Sequence, residues 1–322
     1  MKNKKKKIKI ITILILFLIT ISIGLVGMSV PYSDIDKLAK GYVGVSYSDV
    51  KGVEYKILTK RPKGWSKLNS ISKNATSAIM LSEDWDFFGH EGVDISQVKE
   101  AALDGLKGER LRGASTISQQ VTKNLFFTSD RTVQRKLKEL LATLYLEKKV
   151  SKDKILEVYL NVIQYGDGIY GIKSASKHYF NKSPKSLTAK EGAFLAMLLP
   201  SPVRYSQSFK EKKLTKFASG TVDNILDKMA LAKVISPEKA KFLKKEPLNF
   251  ESTFKSKSKS RARSSNGRGV SRKARAQRLT DGRDWENRYK YDPDLSISED
   301  VKYDPDAINE DDLQLQEEFS ID

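Results

Sequence analysis

From Ile10 to Val30 the chain carries no charged residue, and Ile, Leu, Val and Phe dominate the run. Nothing else in the sequence constrains folding so strongly. At 1.5 Å per residue, a helix of about 20 residues crosses a hydrocarbon core of roughly 30 Å, so the run predicts a transmembrane anchor. Lys2, Lys4 to Lys7 and Lys9 precede it, and the positive-inside rule keeps such a block cytoplasmic. Everything after Pro31 is then expected to lie extracytoplasmically, on a single-pass protein of the cell membrane. A cleaved signal peptide is the rival reading. Its apolar core is usually shorter, about 7–15 residues, and ends in small residues; Gly24 to Ser29 offers a poor cleavage site. No later apolar run is long enough to span.

The formal charge of +18 is spread unevenly over the 322 residues. Residues 251–280 hold ten Lys/Arg against the single acid Glu251, whereas residues 281–322 hold fifteen Asp/Glu against four Lys/Arg. The basic average therefore describes the ends and not the middle. From Glu251 onward apolar residues thin out, and such a composition cannot offset its ordering entropy. A disordered, basic-then-acidic tail is expected over 251–322. Lys290-Tyr291-Asp292-Pro293-Asp294 recurs there as Lys302-Tyr303-Asp304-Pro305-Asp306, a docking tag or a duplicated linker. The absence of cysteine excludes disulfides, zinc-thiolate sites and thiol nucleophiles. With only His90 and His178, a His-rich metal centre is disfavoured. The organisation expected is a cytoplasmic basic segment (1–9), the anchor (10–30), a juxtamembrane linker (31–60), one folded domain (61–250) and the tail. No sequence after residue 250 is of a kind to encode a second large domain.

The folded part reads as mainly α. Ile95, Val98, Ala102 and Leu106 recur at helical spacing, as do Val133, Leu137, Leu140, Leu141 and Leu144; both stripes are expected to pack into the core. Ser115 suits an N-cap for Thr116 to Leu125. Ser151 suits a cap for Lys152 to Val162, which should bury Ile155, Leu156, Tyr159 and Leu160. Thr188 and Glu191 form a capping-box pattern before Ala193 to Leu199, and Ser236-Pro237 opens a last helix. Only Val53 to Leu58 looks like a strand.

Two carboxylates on separate elements carry the chemistry. Glu83 ends an apolar helix (Ala78, Ile79, Leu81), where partial burial would raise its pKa towards that of a useful base. Trp85, Phe87 and Phe88 are placed to exclude water. Glu139 lies one turn after Arg135, so the two side chains are neighbours. Lys123, Arg131 and Arg135 offer fixed positive charge suited to a phosphate or diphosphate leaving group. Ser115, Gln119 and Gln120 offer uncharged hydrogen bonds. Surface salt bridges with capped helix ends account for the same residues without function, and at this level both readings stand. His90 is expected to make a structural hydrogen bond, and His178 to pack beside Tyr179. The lysines from Lys210 to Lys245 face either anionic headgroups or plain solvent.

The motifs, in order, resemble the peptidoglycan glycosyltransferases of family 51, found in class A penicillin-binding proteins and monofunctional transglycosylases. The similarity runs over roughly residues 65–245. Its first motif is Glu83-Asp84, Phe87, His90, Gly92 and Asp94. The second is Gly113-Ala114-Ser115-Thr116-Ile117-Ser118-Gln119-Gln120 with Lys123-Asn124. The third is Arg135-Lys136 with Glu139 and Glu147. The fourth is Lys154-Ile155-Leu156-Glu157-Val158-Tyr159-Leu160-Asn161, then Gly166, Gly171 and Tyr179-Phe180. The fifth is Glu191-Gly192-Ala193 to Leu199 with Pro202 and Tyr205.

The resemblance implies a lysozyme-like helical lobe with a smaller membrane-proximal jaw lobe. It implies polymerisation of lipid II, with Glu83 as general base and Glu139 beside it in the catalytic set. Lys123 and Arg131 would stabilise the diphosphate, Arg135 would organise the donor site with Glu139, and Ser115, Gln119 and Gln120 would line the cleft. It also implies help from Mg²⁺ or Mn²⁺ held mainly by substrate phosphates. The partners implied are lipid II, the growing glycan strand, the membrane and a separate transpeptidase, since the serine transpeptidase module is expected to be absent. Three residues depart from the family pattern: Ala114 for a second glycine, Ser118 for threonine, and Asp86 at a position that is often basic. A lytic muramidase-like hydrolase and a non-catalytic cell-wall scaffold are the alternatives. Nucleic acid is not an expected partner, because the Arg/Lys-rich stretch lacks interleaved aromatics.

Overall fold

The computed structural model describes residues 12–14, 17, 20, 24, 27–106, 115–127 and 132–251. In chain order its elements are α1 (Tyr32–Lys40), β1 (Tyr42–Ser48), β2 (Gly52–Leu58), α2 (Lys73–Glu83), α3 (Ile95–Leu106), α4 (Ile117–Phe126), α5 (Val133–Lys149) and α6 (Lys152–Val162). There follow β3 (Gln164–Gly166), β4 (Ile169–Tyr170), α7 (Ile172–Phe180), α8 (Ala189–Leu198), α9 (Pro202–Tyr205), α10 (Gln207–Lys210), α11 (Lys216–Leu231) and α12 (Pro237–Lys245). The protein is mainly helical, as expected. It divides into two compact units: one takes the chain up to residue 70 together with 90–163 and 170–173, the other takes 71–89, 164–169 and 174 onward.

In the first unit, β1 and β2 form an antiparallel hairpin from Tyr42↔Leu58 to Ser48↔Gly52. Its turn uses Gly52 at φ +71°, a left-handed value that glycine adopts without penalty. β2 is the strand expected at Val53 to Leu58. The segment 31–60, read from sequence as a linker, is folded: Ile35 and Leu38 of α1 are fully buried, and α1 packs on α5 and β2. Tyr32 meets Tyr145 edge-on at 4.7 Å, and the Tyr145 hydroxyl donates to Asp36 at 3.0 Å.

Ser151 caps α6 as expected, accepting from the Lys154 amide, and Ile155, Leu156, Tyr159 and Leu160 are buried. The polar residues of this helix clasp the preceding loop. Glu157 accepts from Trp65 Nε1 and the Leu68 amide, both at 2.9 Å. Asn161 accepts from the Ser66 amide at 2.7 Å and donates to its carbonyl at 2.8 Å.

Two expected core stripes are at most partly core; Leu137, Leu140 and Leu141 of α5 are half-buried. On α3, Ile95, Val98 and Leu103 are 58%, 43% and 55% exposed; the side chains of Ala102 and Leu106 lie outside the described residues. On α5, Val133 and Leu144 are exposed, and the buried residues are Glu139, Ala142, Thr143 and Leu146. Burying the polar face costs little because each of its groups is hydrogen-bonded.

The second unit is built on α8, all ten residues of which are buried. A helix apolar on nearly every side belongs in a core. Its two charged residues are satisfied: Lys190 Nζ donates to the carbonyls of Lys244 (3.1 Å) and Glu246 (2.6 Å), and Glu191 accepts from Lys182 and the Thr188 amide. The Thr188–Glu191 capping box forms as the pattern predicted. Ser236 caps α12 with Pro237 at its first position. α2 and α11 pack on α8. Tyr179, Phe180, Phe194, Phe209 and Phe250 make an aromatic cluster of mostly edge-on contacts, a geometry that suits the ring quadrupole. His178 packs edge-on against Tyr179 at 4.7 Å, as expected.

Among the described residues no helix is long and apolar enough to cross a membrane. The anchor expected at 10–30 falls largely outside them. Of those that are described there, Ile13, Leu14, Phe17 and Met28 are helical and exposed, while Val30 is buried.

Candidate active site

In the second unit, Glu83 is the last residue of α2 and is half-buried. The helix stops there because Asp84 turns to φ −158°, ψ 84° while its amide still bonds the Met80 carbonyl at 2.8 Å. The next residues form an apolar floor: Phe87 is fully buried and meets Phe88 edge-on at 4.9 Å. Tyr165 of β3 is a residue that sequence reasoning missed. Burial, and then the charge of Glu83, drive its phenol pKa far upward, so it stays neutral at any working pH. Its only sequence signal is the adjacent Gly166, where a Cβ would meet the Tyr179 hydroxyl at 2.5 Å. Asp86 belongs to a tight turn, its carbonyl accepting from the Gly89 amide at 2.8 Å. Its carboxylate lies so close over Gly89 that any Cβ there would collide with it.

In the first unit, the His90–Asp94 segment is tied to α4. His90 Nδ1 accepts from the Gly92 amide at 3.1 Å, the structural role expected of it. Gly92 has φ +86°, and its carbonyl accepts from Thr116 Oγ1 at 2.7 Å. Asp94 accepts from the Gln97 amide at the start of α3. The N-cap of α4 is Thr116 and not Ser115. Thr116 and Gln119 form a full capping box, each accepting from the other's amide at 3.2 Å. A Thr-x-x-Gln spelling could have disclosed it. Gln119 is therefore buried with its side-chain carbonyl committed to the cap, while Ser115 is exposed. Gln120 is half-buried and accepts from the Tyr159 hydroxyl at 3.2 Å. Ser118 is fully buried and donates to Glu147, which also holds Lys152 at 2.7 Å. Lys123 is exposed in the last turn of α4.

At the start of α5, Thr132 accepts from the Arg135 amide at 3.1 Å. Arg135 reaches Glu139 at 2.7 Å and Lys136 reaches its other oxygen at 2.5 Å. Glu139 is only 2% exposed. Two cations on one carboxylate leave a net positive charge, and Lys123 adds to the positive charge of this unit. Arg131, Gly113 and Ala114 lie outside the described residues. The structure thus brings Arg135 and Glu139 together on one helix and places Ser115, Gln119, Gln120 and Lys123 on α4 or at its entry. Glu83 stands in the other unit with its own aromatic surroundings.

A mainly helical fold with a half-buried carboxylate at a helix end in one unit, and a carboxylate clamped by cations in the other, belongs to the class that suits acid–base chemistry on an anionic substrate. Residues 51–230 match the family described as Transglycosylase, and the chain belongs to that family. It is 46% identical over 144 residues to the biosynthetic peptidoglycan transglycosylase of Shewanella oneidensis, a match covering 45% of this chain and 62% of that one. It is 40% identical over 199 residues to penicillin-binding protein 2D of Bacillus subtilis, covering 62% of this chain and 28% of that one. It is 41% identical over 171 residues to the biosynthetic peptidoglycan transglycosylase of Nitrosospira multiformis, covering 53% and 73%. The chain thus spans less than two thirds of the length of the first two relatives.

Proposed function

We propose that the protein is a membrane-anchored peptidoglycan glycosyltransferase that polymerises lipid II into glycan strands. Family membership over 51–230 carries this reading, because that segment contains both carboxylates and the basic residues of α4 and α5. Glu83 takes the proton from the 4-hydroxyl of the acceptor GlcNAc. The freed oxygen bonds C1 of the donor MurNAc as the C1–oxygen bond to the diphosphate breaks. The bonding pair leaves with undecaprenyl diphosphate, and C1 inverts from α to β. Lys123, Arg131 and Arg135 meet the charge that develops on the departing group, and Glu139 holds Arg135 in place for that task. Phe87 and Phe88 limit the water that would compete with the sugar hydroxyl as nucleophile.

In this reading the helical lobe is lysozyme-like and carries a smaller jaw near the bilayer, and residues 61–250 form the catalytic domain. The segment 10–30 spans the membrane, with the N-terminus cytoplasmic and the domain outside; the exposure of Ile13, Leu14, Phe17 and Met28 suits lipid contact. The described residues offer no metal cage, since no three His, Asp or Glu converge. A Mg²⁺ or Mn²⁺ would enter with the substrate's diphosphate. A separate transpeptidase would cross-link the product.

Incubating the full chain with lipid II and separating the products on a gel tests the reading. Long glycan is the expected product, and Glu83→Gln should lower its rate by about 10²–10⁴-fold, the usual worth of a general base. Short muropeptides from finished wall, with no polymer, would instead establish the hydrolase.

A further inference from the structure

α4 and α5 are joined by a seam of hydroxyls that the proposed chemistry leaves unused. Thr122 and Thr143 are both fully buried, and their Oγ1 atoms lie 2.7 Å apart. Thr143 Oγ1 also lies 2.7 Å from the carbonyl of Glu139, and Thr122 Oγ1 lies 3.0 Å from the carbonyl of Gln119 and 3.1 Å from that of Ser118. Each hydroxyl has one proton to give. One of them must therefore donate to the other, and the second donates onward to a main-chain carbonyl. If the relay runs from Thr122 it ends on Glu139; if it runs from Thr143 it ends on Gln119 or Ser118. One turn along both helices, Ser118 bonds Glu147. Glu139, Thr143 and Glu147, spaced by four, thus form one polar stripe. A slip of either helix breaks the two bonds that cross the seam, Thr122–Thr143 and Ser118–Glu147, whereas apolar contacts would tolerate it.

We propose that Thr122 and Thr143 are positioning residues: their hydroxyl pair locks α4 against α5, and so sets Lys123 and the Arg135–Glu139 pair for the anionic leaving group. The inference rests on the glycosyltransferase reading for its chemistry. The valine variants keep side-chain volume and remove the hydroxyl. Thr122→Val and Thr143→Val, as full chains acting on lipid II, are expected to lose about tenfold in kcat with KM within about twofold, because the cations act on charge that develops only in the transition state. The double variant should lose no more than either single one, since the pair acts as a unit. Thr122→Ser and Thr143→Ser, which keep the hydroxyl, should restore kcat.

A purely structural seam would lower the melting temperature and leave kcat of the folded protein alone; that result overturns the proposal. A second measurement needs no turnover. The Arg135 Nε–Hε resonance of arginine-labelled chain in detergent micelles, assigned through Arg135→Lys, should move in the valine variants towards its position in Glu139→Gln and stay in place in the serine variants. An unmoved resonance overturns the proposal, and Thr122→Ala serves where a valine variant does not fold. An inactive parent chain whose resonance moves as described refutes the glycosyltransferase reading and supports the lock.

Discussion

Glu139 is nearly removed from water and yet keeps two cations within hydrogen-bond reach, and the two are not equivalent. Arg135 is 17% exposed and Lys136 is 52% exposed. An exposed lysine bonded to a carboxylate contributes about 0–1 kcal/mol. Removing a buried partner strands the charge it neutralised and costs about 3–5 kcal/mol. Arg135→Ala is therefore expected to destabilise the fold by about 3 kcal/mol or more, and Lys136→Ala by less than about 1 kcal/mol; urea unfolding followed by circular dichroism measures both. Equal losses would mean that Lys136 shields Glu139 as fully as Arg135 does. At this scale the sequence is readable where the interaction is local. The Arg135–Glu139 pairing follows from a spacing of four, and the capping roles of Thr188, Ser151 and Ser236 follow from their neighbours. Burial is not local. The Thr-x-x-Gln spelling at the start of α4 allows the Thr116–Gln119 cap, but nothing in it shows that Gln119 is buried in that cap instead of facing a ligand.

The position of α2, and so of Glu83, depends on how closely that helix approaches α8. A Cβ on Gly192 would lie 2.6 Å from the Cα of Ala75, a backbone atom that no rotamer change can move aside. Gly192 is helical and gains nothing from glycine's conformational range, so contact explains the residue. Gly192→Ala should raise helix propensity by about 1 kcal/mol and lose more than that through overpacking, about 1–3 kcal/mol. The helices would be pushed apart and the proposed polymerisation reduced. A melting temperature at or above that of the parent, with full activity, would show that the crossing has room. Elements were legible when their periodic pattern agreed with their burial, as in α6 and α8. They were misread when the pattern was apolar but the neighbours were polar: α5 turns Thr143 and Glu139 inward and leaves Val133 and Leu144 outside. β1 escaped notice because Gly44 interrupts its strand signal, although a Cβ there would sit 2.9 Å from Leu58 Cδ1. α1 escaped because nine residues with two buried apolar side chains make too short a pattern.

At the scale of the molecule, the division into two units was the least legible feature, because neither unit is continuous in sequence. The chain enters the second unit at residue 71, returns to the first at 90, and leaves it again after 163. Composition does not change at those points, so a sequence reading finds one domain there. The N-terminal boundary is sharper in physical terms. Val30 is 5% exposed, and Ile35 and Leu38 are fully buried, so among the described residues the buried core begins at residue 30. The apolar run before it supplies no side chain to this core from Ile13, Leu14, Phe17 or Met28, all of which are exposed. A chain shortened by residues 1–28 should accordingly keep its melting temperature and, if the proposed anchor holds the parent in the membrane pellet, move to the supernatant. Loss of the cooperative transition would mean that the run stabilises the fold. Retention in the pellet after a high-salt wash, which screens the attraction of lysines for anionic headgroups, would mean that apolar surface elsewhere holds the protein to the bilayer, and the exposed face of α3 is where the next substitutions would be made.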